Sequence, residues 1–484
     1  MGSVNGQKLR LRDCAWRLLN DRRGQTTILV AFCMMMILGF IGLAIDVGHF
    51  RYAKRTMQTA ADAAAIAAAS EVRICGGTAD CSAMQTAASS AMTENGFTSA
   101  TIVQNCGTPS STGITLSVNN PVCAVTGDVN AGKLNYVEAV VTDQVPTYFA
   151  RLFGISTVTV SARAEAARGL GGPCIYALDQ TGSNAISFAV NAIEQFNCGI
   201  VDESSSSSAL SCLVCLFVYA PYIDVTGGVG GLLSFFSPPP HTNIPRPEPN
   251  DPLAYLPVPT NASATTACGT TTSSPYTGSP ATVNIITGLL SNITFNPGVY
   301  CGGIAITAAV LTNITFNPGV YILRDGPGLL GSLTPQGGLT ITINALSNIQ
   351  GTGVMFYNAG NVSTPASTVG GFSVTASSLA GLGGFNLSAA TSGEYGGVLF
   401  FQARNVTNTG TFVANLIQGN KMEGAFYLPD AMVSYGVSAI SDNYNILVAK
   451  DIEFNVGLIS TFGNNYATLQ SGSPLNGDNV SLVQ

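Results

Sequence analysis

The stretch 289-LLSNITFNPGVY-300 returns almost letter for letter as 310-VLTNITFNPGVY-321, an offset of 21 residues. A unit of this period is too short for two helices, and its Ile, Thr, Phe and Val suit extended chain. Asn-Pro-Gly supplies a corner, because proline fixes φ and glycine accepts a positive value. Short units of this kind bury their apolar faces by stacking on their neighbours. The repeat therefore predicts a parallel β-helix (β-solenoid) over 281–484, with a β-sandwich as the alternative. In the stacked form Phe295 lies over Phe316, Val299 over Val320 and Tyr300 over Tyr321, each pair one rung of about 4.8 Å apart. Gly298 and Gly319 hold the corners. The pattern continues in 338-GLTITINAL-346, 351-GTGVMFYNA-359, 370-GGFSVTASSLAGL-382, 396-GGVLFFQARNV-406 and 443-NYNILVAKDIEF-454. Asn292 and Asn313, each heading an Asn-Ile-Thr triplet, read as corner asparagines.

Upstream, nine prolines between 238 and 259 exclude helix and central strand and predict an extended, semi-rigid linker over 238–266. Residues 173–237 read as a strand-rich connecting region in which Cys174 and Cys198 frame two strand-like runs as a disulfide. Cys212-Leu-Val-Cys215 has the spacing of a redox pair, but it sits in the strand-like run CLVCLFVYAPYIDV, whereas a redox pair needs a helix N-terminus. Structural bridges, for example to Cys268 and Cys301, fit it better. Residues 74–172 form a small α/β domain. Cys75 and Cys81 are spaced to close a short loop, and Cys106 and Cys123 to staple the strand between them. Strands are expected at 112–119, 134–142 and 157–164, with a turn or short helix at 146–153.

The N-terminal region is dominated by 28-ILVAFCMMMILGFIGLAI-45, which carries no charge and no proline. Its length is at the lower edge of what spans a bilayer core. Residues 1–27 hold six basic and two acidic groups, so the positive-inside rule keeps them cytoplasmic and places everything after Asp46 outside. Bulky and charged residues follow the span where a signal peptidase needs small ones, so the anchor is read as retained. Residues 46–73 extend the same helix, and Val47, Phe50, Ala53, Met57, Ala60, Ala61, Ala64 and Ala68 make an apolar stripe at helical spacing. Alanine allows close backbone approach, so this face is built to lie against a partner or the chain's own domain. Asp46 stands where the helix leaves hydrocarbon. Asp62 either faces water or pairs with Arg55 or Lys54 of a neighbouring helix.

The segment 22-RRGQTTILVAFCMMMILGFIGLAIDVGHFRYAKRTMQTAADAAAIAAAS-70 resembles the N-terminus of TadG-like proteins of the Flp (tight adherence) pilus-assembly system. The matching features are Arg23-Gly24, Asp46, Gln58 and the Ala60-Ala61-Asp62-Ala63-Ala64 run. The piece 145-VPTYFARLFGISTVTVSARAEA-166 resembles the end of that family's membrane-proximal domain, and the later strand runs resemble its C-terminal half. The resemblance implies a single-pass protein of the bacterial inner membrane, linked to pilus assembly and surface attachment, with 74–172 pilin-like. It implies lipid contact through 28–45 and contact with other pilus-assembly proteins through the alanine-rich helix. Type IV pilins also carry a glycine before the span, but place a glutamate where this chain has Leu29, which sets it apart from a processed pilin.

Composition limits the chemistry. Outside residues 1–27 the chain is acidic and has no basic patch to neutralise a phosphate backbone, which excludes nucleic-acid binding. Ten of the twelve cysteines fall beyond the span, as suits an oxidising compartment, and two histidines leave little for a metal site. No cofactor, metal or catalytic residue is assigned. Among Asp325, Glu394, Glu423, Asp430, Asp442, Asp451 and Glu453, only Asp451 and Glu453 share a strand face, at i,i+2 and roughly 7 Å, where a glycosidase pair would stand. A non-enzymatic platform is the expectation. The alternative is a tethered protein that binds or cleaves polysaccharide, which leaves a polysaccharide or other surface ligand as the remaining partner class.

Overall fold

The computed structural model describes residues 25–483 apart from 73–74, 76–78, 105, 108–112, 169–171, 189–192, 213–216, 232–234, 248–249, 264, 287–290, 309–310, 327–336, 344–346, 361–369, 378–383, 441, 456–459 and 476–479. Gly24, most of the basic segment and Cys215 lie outside the described residues. Helix α1, Gln25–Ser70, runs unbroken from the apolar stretch into the alanine-rich one. At 1.5 Å per residue it is about 70 Å long. Its first half is exposed along almost its whole length, whereas Met57, Ala60, Ala61, Ala64, Ala65, Ala68 and Ala69 are buried.

That buried face is covered by the chain's own domain. Helix α2, Ser82–Glu94, presents Met84, Ala88 and Met92 at four-residue spacing. A sheet of β1 (Thr101–Val103), β2 (Thr115–Asn119), β3 (Tyr136–Pro146) and β4 (Thr157–Arg168) contributes Val137, Ala139, Val141, Ala162, Ala164 and Ala166 to the same core. Small residues on both surfaces let helix and sheet approach closely. β1 and β2 run parallel, and the other pairs are antiparallel. A fifth strand, Val480–Leu482 from the far end of the chain, pairs antiparallel with Ala166–Arg168 and caps the β4 edge.

The rest of the chain stacks in parallel. One column of strands runs Val283–Ile286, Ile304–Ala308, Leu339–Ile343, Phe372–Ser377 and the start of Gly410–Ile440. A second runs Tyr276–Ser279, Asn292–Cys301, Asn313–Phe316, Asn348–Thr352 and Gly384–Ser388. A third runs from the end of Asn292–Cys301 through Gly319–Arg324, Val354–Gly360 and Val398–Gln402 to Gly410–Ile440 and Asn445–Phe454. These ladders are parallel, unlike those of an antiparallel sandwich.

Residues 173–237 do not connect two bodies. Pro173–Ala177 and Ile186–Phe188 pair with Asn445–Phe454, and Gly199–Asp202, Leu210–Cys212, Ile223–Val225 and Val229–Gly230 stack beyond them. The chain enters the stack in its middle, builds to one end at Thr242, and begins again at the other end at Tyr276. Roughly ten rungs make a column about 45 Å tall, which the intervening extended segment spans easily. That segment, read from sequence as a linker, is pinned along the body. Arg246 donates to the carbonyls of Glu203 and Gln180, Arg404 to those of Leu253, Ala254 and Leu256, and Arg324 to those of Ser263 and Thr266. Cys268 closes it onto Cys301. These two cysteines thus pair with each other rather than with Cys212 or Cys215. Cys75–Cys81, Cys106–Cys123 and Cys174–Cys198 are also bridged.

The two repeat copies agree only in part. Asn292 to Phe295 pair one for one with Asn313 to Phe316, and the two phenylalanine rings stack at 4.8 Å. The asparagines form a ladder, with Asn313 donating to Asn292 at 3.1 Å and Asn348 to Asn313 at 3.2 Å. After Phe316 the backbone register slips, so that Val299 pairs with Ile322 and Tyr300 with Leu323, in place of Val320 and Tyr321, although the Tyr300 and Tyr321 rings still stack at 6.0 Å. The cause is local: the first Asn-Pro-Gly stays within one strand, whereas Asn317-Pro318 interrupts the second. Gly319 adopts φ +138°, and a side chain there would also run into Pro297. Gly298 is needed instead for the close approach of the Thr277–Gly278 backbone.

Aromatic contacts continue from Tyr276 and Phe295 through Phe316, Phe356, Phe400, Phe426, Tyr435 and Phe462 to Phe196, crossing the seam between the two ends of the chain. Replacing Phe316 by Ala is expected to lower the unfolding free energy by about 3–5 kcal/mol, against about 0.5 kcal/mol for Thr340→Ala on the exposed face. Chemical denaturation of the two variants makes the comparison.

Candidate functional site at the base of the body

Asp46 is the first charged residue after the apolar run, and only 1% of it is exposed. Its carboxylate accepts backbone N–H bonds from Tyr148 at 2.8 Å, Phe149 at 3.1 Å and Ala150 at 2.7 Å. These amides open the 3-10 turn Ala150–Phe153, which lies between β3 and β4. The free amides at such a start need acceptors, and a carboxylate satisfies several at once. Phe149 lies against Gly42, where a Cβ would fall 2.6 Å from its ring, and Tyr148 meets His49 edge-on at 5.1 Å. The helix is thus fixed to the domain where the apolar run ends.

About three turns beyond Asp46, Gln58 donates to Asp62 Oδ1 and to the carbonyl of Arg163, both at 2.8 Å. Within the chain, Asp62 is thus held by Gln58 of its own helix. Arg55 is exposed, and Ala64 is buried in the alanine face. The alanine face expected to hold other pilus-assembly proteins is occupied inside the chain.

Behind β4, Arg163 binds Glu138 and Glu165, and Asp128 at 2.8 Å. Burial opposes its charge, but the bonds to Glu138 outweigh that and raise its pKa. Burial pushes the Glu165 carboxyl up, while the Asn130 amide holds Asp128 down. Arg168, fully buried, donates to the carbonyls of Ser70, at the end of α1, and Leu475. It joins three remote segments at one point. The sequence reading assigned no role to these residues, although the alternation in 161-SARAEA-166 places Arg163 and Glu165 on one face.

Among the described residues, Asp451 and Glu453 do not line one cleft together. Glu453 lines a cleft of about 420 Å³ with Asn184, Ser187, Phe188 and Ser211, and Asp451 is not among the described walls. Asp451 is raised by burial and then by Asp179. Glu423 accepts from the backbone and side chain of Asn443, and Asp442 from the Met422 amide, so these carboxylates tie the strand at 422–423 to the segment at 442–443. Cys106, Cys123 and Glu138 come close enough for a metal, but the two sulfurs form a disulfide.

Burial pushes Asp202 and Asp442 up to about 7. The folded body therefore keeps these protons across a range where the unfolded chain, titrating near 4, has released them. Their contribution to stability is present below about pH 4 and is lost as pH rises towards about 7. A melting-temperature series over that window should fall with pH. Asp202→Asn, which keeps the acceptor for the Ser204 amide, should flatten part of the slope.

Helix, turn and stapled sheet define a class: a module built on one long helix, apolar along its first half, that carries a parallel β body. Residues 24–71 match the family model described as putative Flp pilus-assembly TadE/G-like, and residues 52–166 match that described as putative Tad-like Flp pilus-assembly. Over residues 24–166 the chain is thus similar to Flp pilus-assembly proteins of the Tad system, in line with the TadG-like resemblance read from its sequence. Comparison with curated proteins and with solved structures gave no match.

Proposed function

We propose that the protein is a non-enzymatic, membrane-anchored component of Flp (Tad-type) pilus assembly, with a body that contributes to pilus biogenesis or adhesion. The observation that carries this reading is the contrast along α1. Large apolar side chains from Ile28 to Ile45 are exposed, and the same helix is buried in its own domain from Met57 onward. An exposed apolar surface of that length needs lipid around it. The span would lie in the bacterial inner membrane, with the basic N-terminus cytoplasmic and the body periplasmic or surface-facing. Four disulfides among the described residues fit an oxidising compartment. The body reads as a β-helix serving as a rigid platform. Protease added to spheroplasts should digest the body and leave a short N-terminal fragment in the membrane. A protected body contradicts the orientation, and a body released intact without protease contradicts the anchor.

A tethered polysaccharide-binding protein is the second reading. It is favoured by a cleft of about 350 Å³ in which Tyr395 and Glu394 stand beside Asn261, Pro297 and Val299. Glycan binding by the full chain that is lost in Tyr395→Ala would support it.

A further inference from the structure

We infer that the turn 148–155 is a second membrane contact, a short apolar wedge that enters the outer leaflet beside the span. The inference rests on the reading of 28–45 as a bilayer-spanning helix. Its starting point is position: Phe149 packs on Gly42, three residues inside the apolar run and so about 4.5 Å below its end. Asp46 fixes the amides of 148–150 at that level, so the turn cannot drift away from the bilayer surface. The residues that follow are those a soluble surface avoids. Leu152 is 81% and Phe153 85% exposed, and Ile155 and Tyr148 are also open.

A contiguous apolar patch continuous with a membrane span has lipid as its natural occupant. The composition agrees. Tyr148 is an aromatic of the kind enriched at the headgroup level, and Arg151 lies in the turn itself. Arg51, Lys54 and Arg55 are exposed on the helix just above, at spacings that place them on one face around a common cleft with Gln58. At six to ten residues beyond Ile45 they stand about 9–15 Å past the hydrocarbon, within reach of anionic headgroups. Two anchoring points on one rigid base would set the tilt of the body, which a single helix leaves free.

The test places a single tryptophan in the full-length protein. Trp16, the only one in the chain, is replaced in Trp16→Phe, and Phe153→Trp or, as a control in the span, Phe40→Trp is added. Each protein is reconstituted in phosphatidylethanolamine–phosphatidylglycerol vesicles with and without brominated acyl chains. The expected result is blue-shifted emission and loss of intensity on brominated lipid at both positions. Quenching at position 40 with red-shifted, unquenched emission at 153 overturns the wedge and leaves the anchor standing. Blue-shifted but unquenched emission at 153 overturns it in favour of a second copy of the chain. No quenching at either position overturns the anchor and the wedge with it.

Discussion

A carboxylate at the end of the apolar stretch of α1 holds the helix to the small domain beside it. Asp46 would be expensive any deeper in lipid and would be an ordinary solvated group any further out. Where it stands, it meets three backbone amides from a turn more than a hundred residues away in the chain. Two things follow from that contact. The helix direction becomes the direction of the domain, and the alanine face beyond it is aligned with the sheet it must touch. Close packing of alanine on alanine tolerates little misalignment, so the clasp and the buried face support one another.

The body obeys a different constraint. Parallel strands stacked in register leave exposed edges at both ends, and edges invite unwanted pairing. The chain enters the stack in its middle, so that the last turns dock on the first ones along Asn445–Phe454 and the two open ends fall at Thr242 and Tyr276. The extended segment between the two ends is held by arginine side chains that bind its free carbonyls, which a proline-rich chain cannot satisfy by itself. The final strand then returns to the edge of β4, and Arg168 ties the same junction to the end of α1. Base and body are thereby one connected unit.

Much of this was readable from sequence where the physics is local. The apolar run, the alanine stripe and the Phe295–Phe316 repeat each depend on periodicity within a short window. The repeat failed just where periodicity stops being sufficient, at a corner that one copy absorbs into a strand and the other does not. Later turns are longer and uneven: Asn313 pairs with Asn348, and Asn348 with Gly384. Their stacking therefore shows in the sequence only as short strand-like runs, without a second close repeat. Residues 173–237 gave no sign of belonging to the stack, because their partners come from the other end of the chain. Asp46 is legible in the sequence as the first charge after the apolar run, but its partners in the 148–150 turn could not be inferred from spacing. Arg163 and Arg168 look like ordinary strand residues until the sheet brings carboxylates and carbonyls around them.

The central claim is that Asp46 fixes the helix to the turn. Hydrogen exchange of the full-length protein in lipid tests it most directly, by following the amides of Tyr148, Phe149 and Ala150 with and without Asp46→Ala. The expected result is strong protection at these three amides in the unaltered protein, lost in the variant while the ladder amides of the body stay protected. Fast exchange at these amides in the unaltered protein, or protection that survives the substitution, would contradict the account.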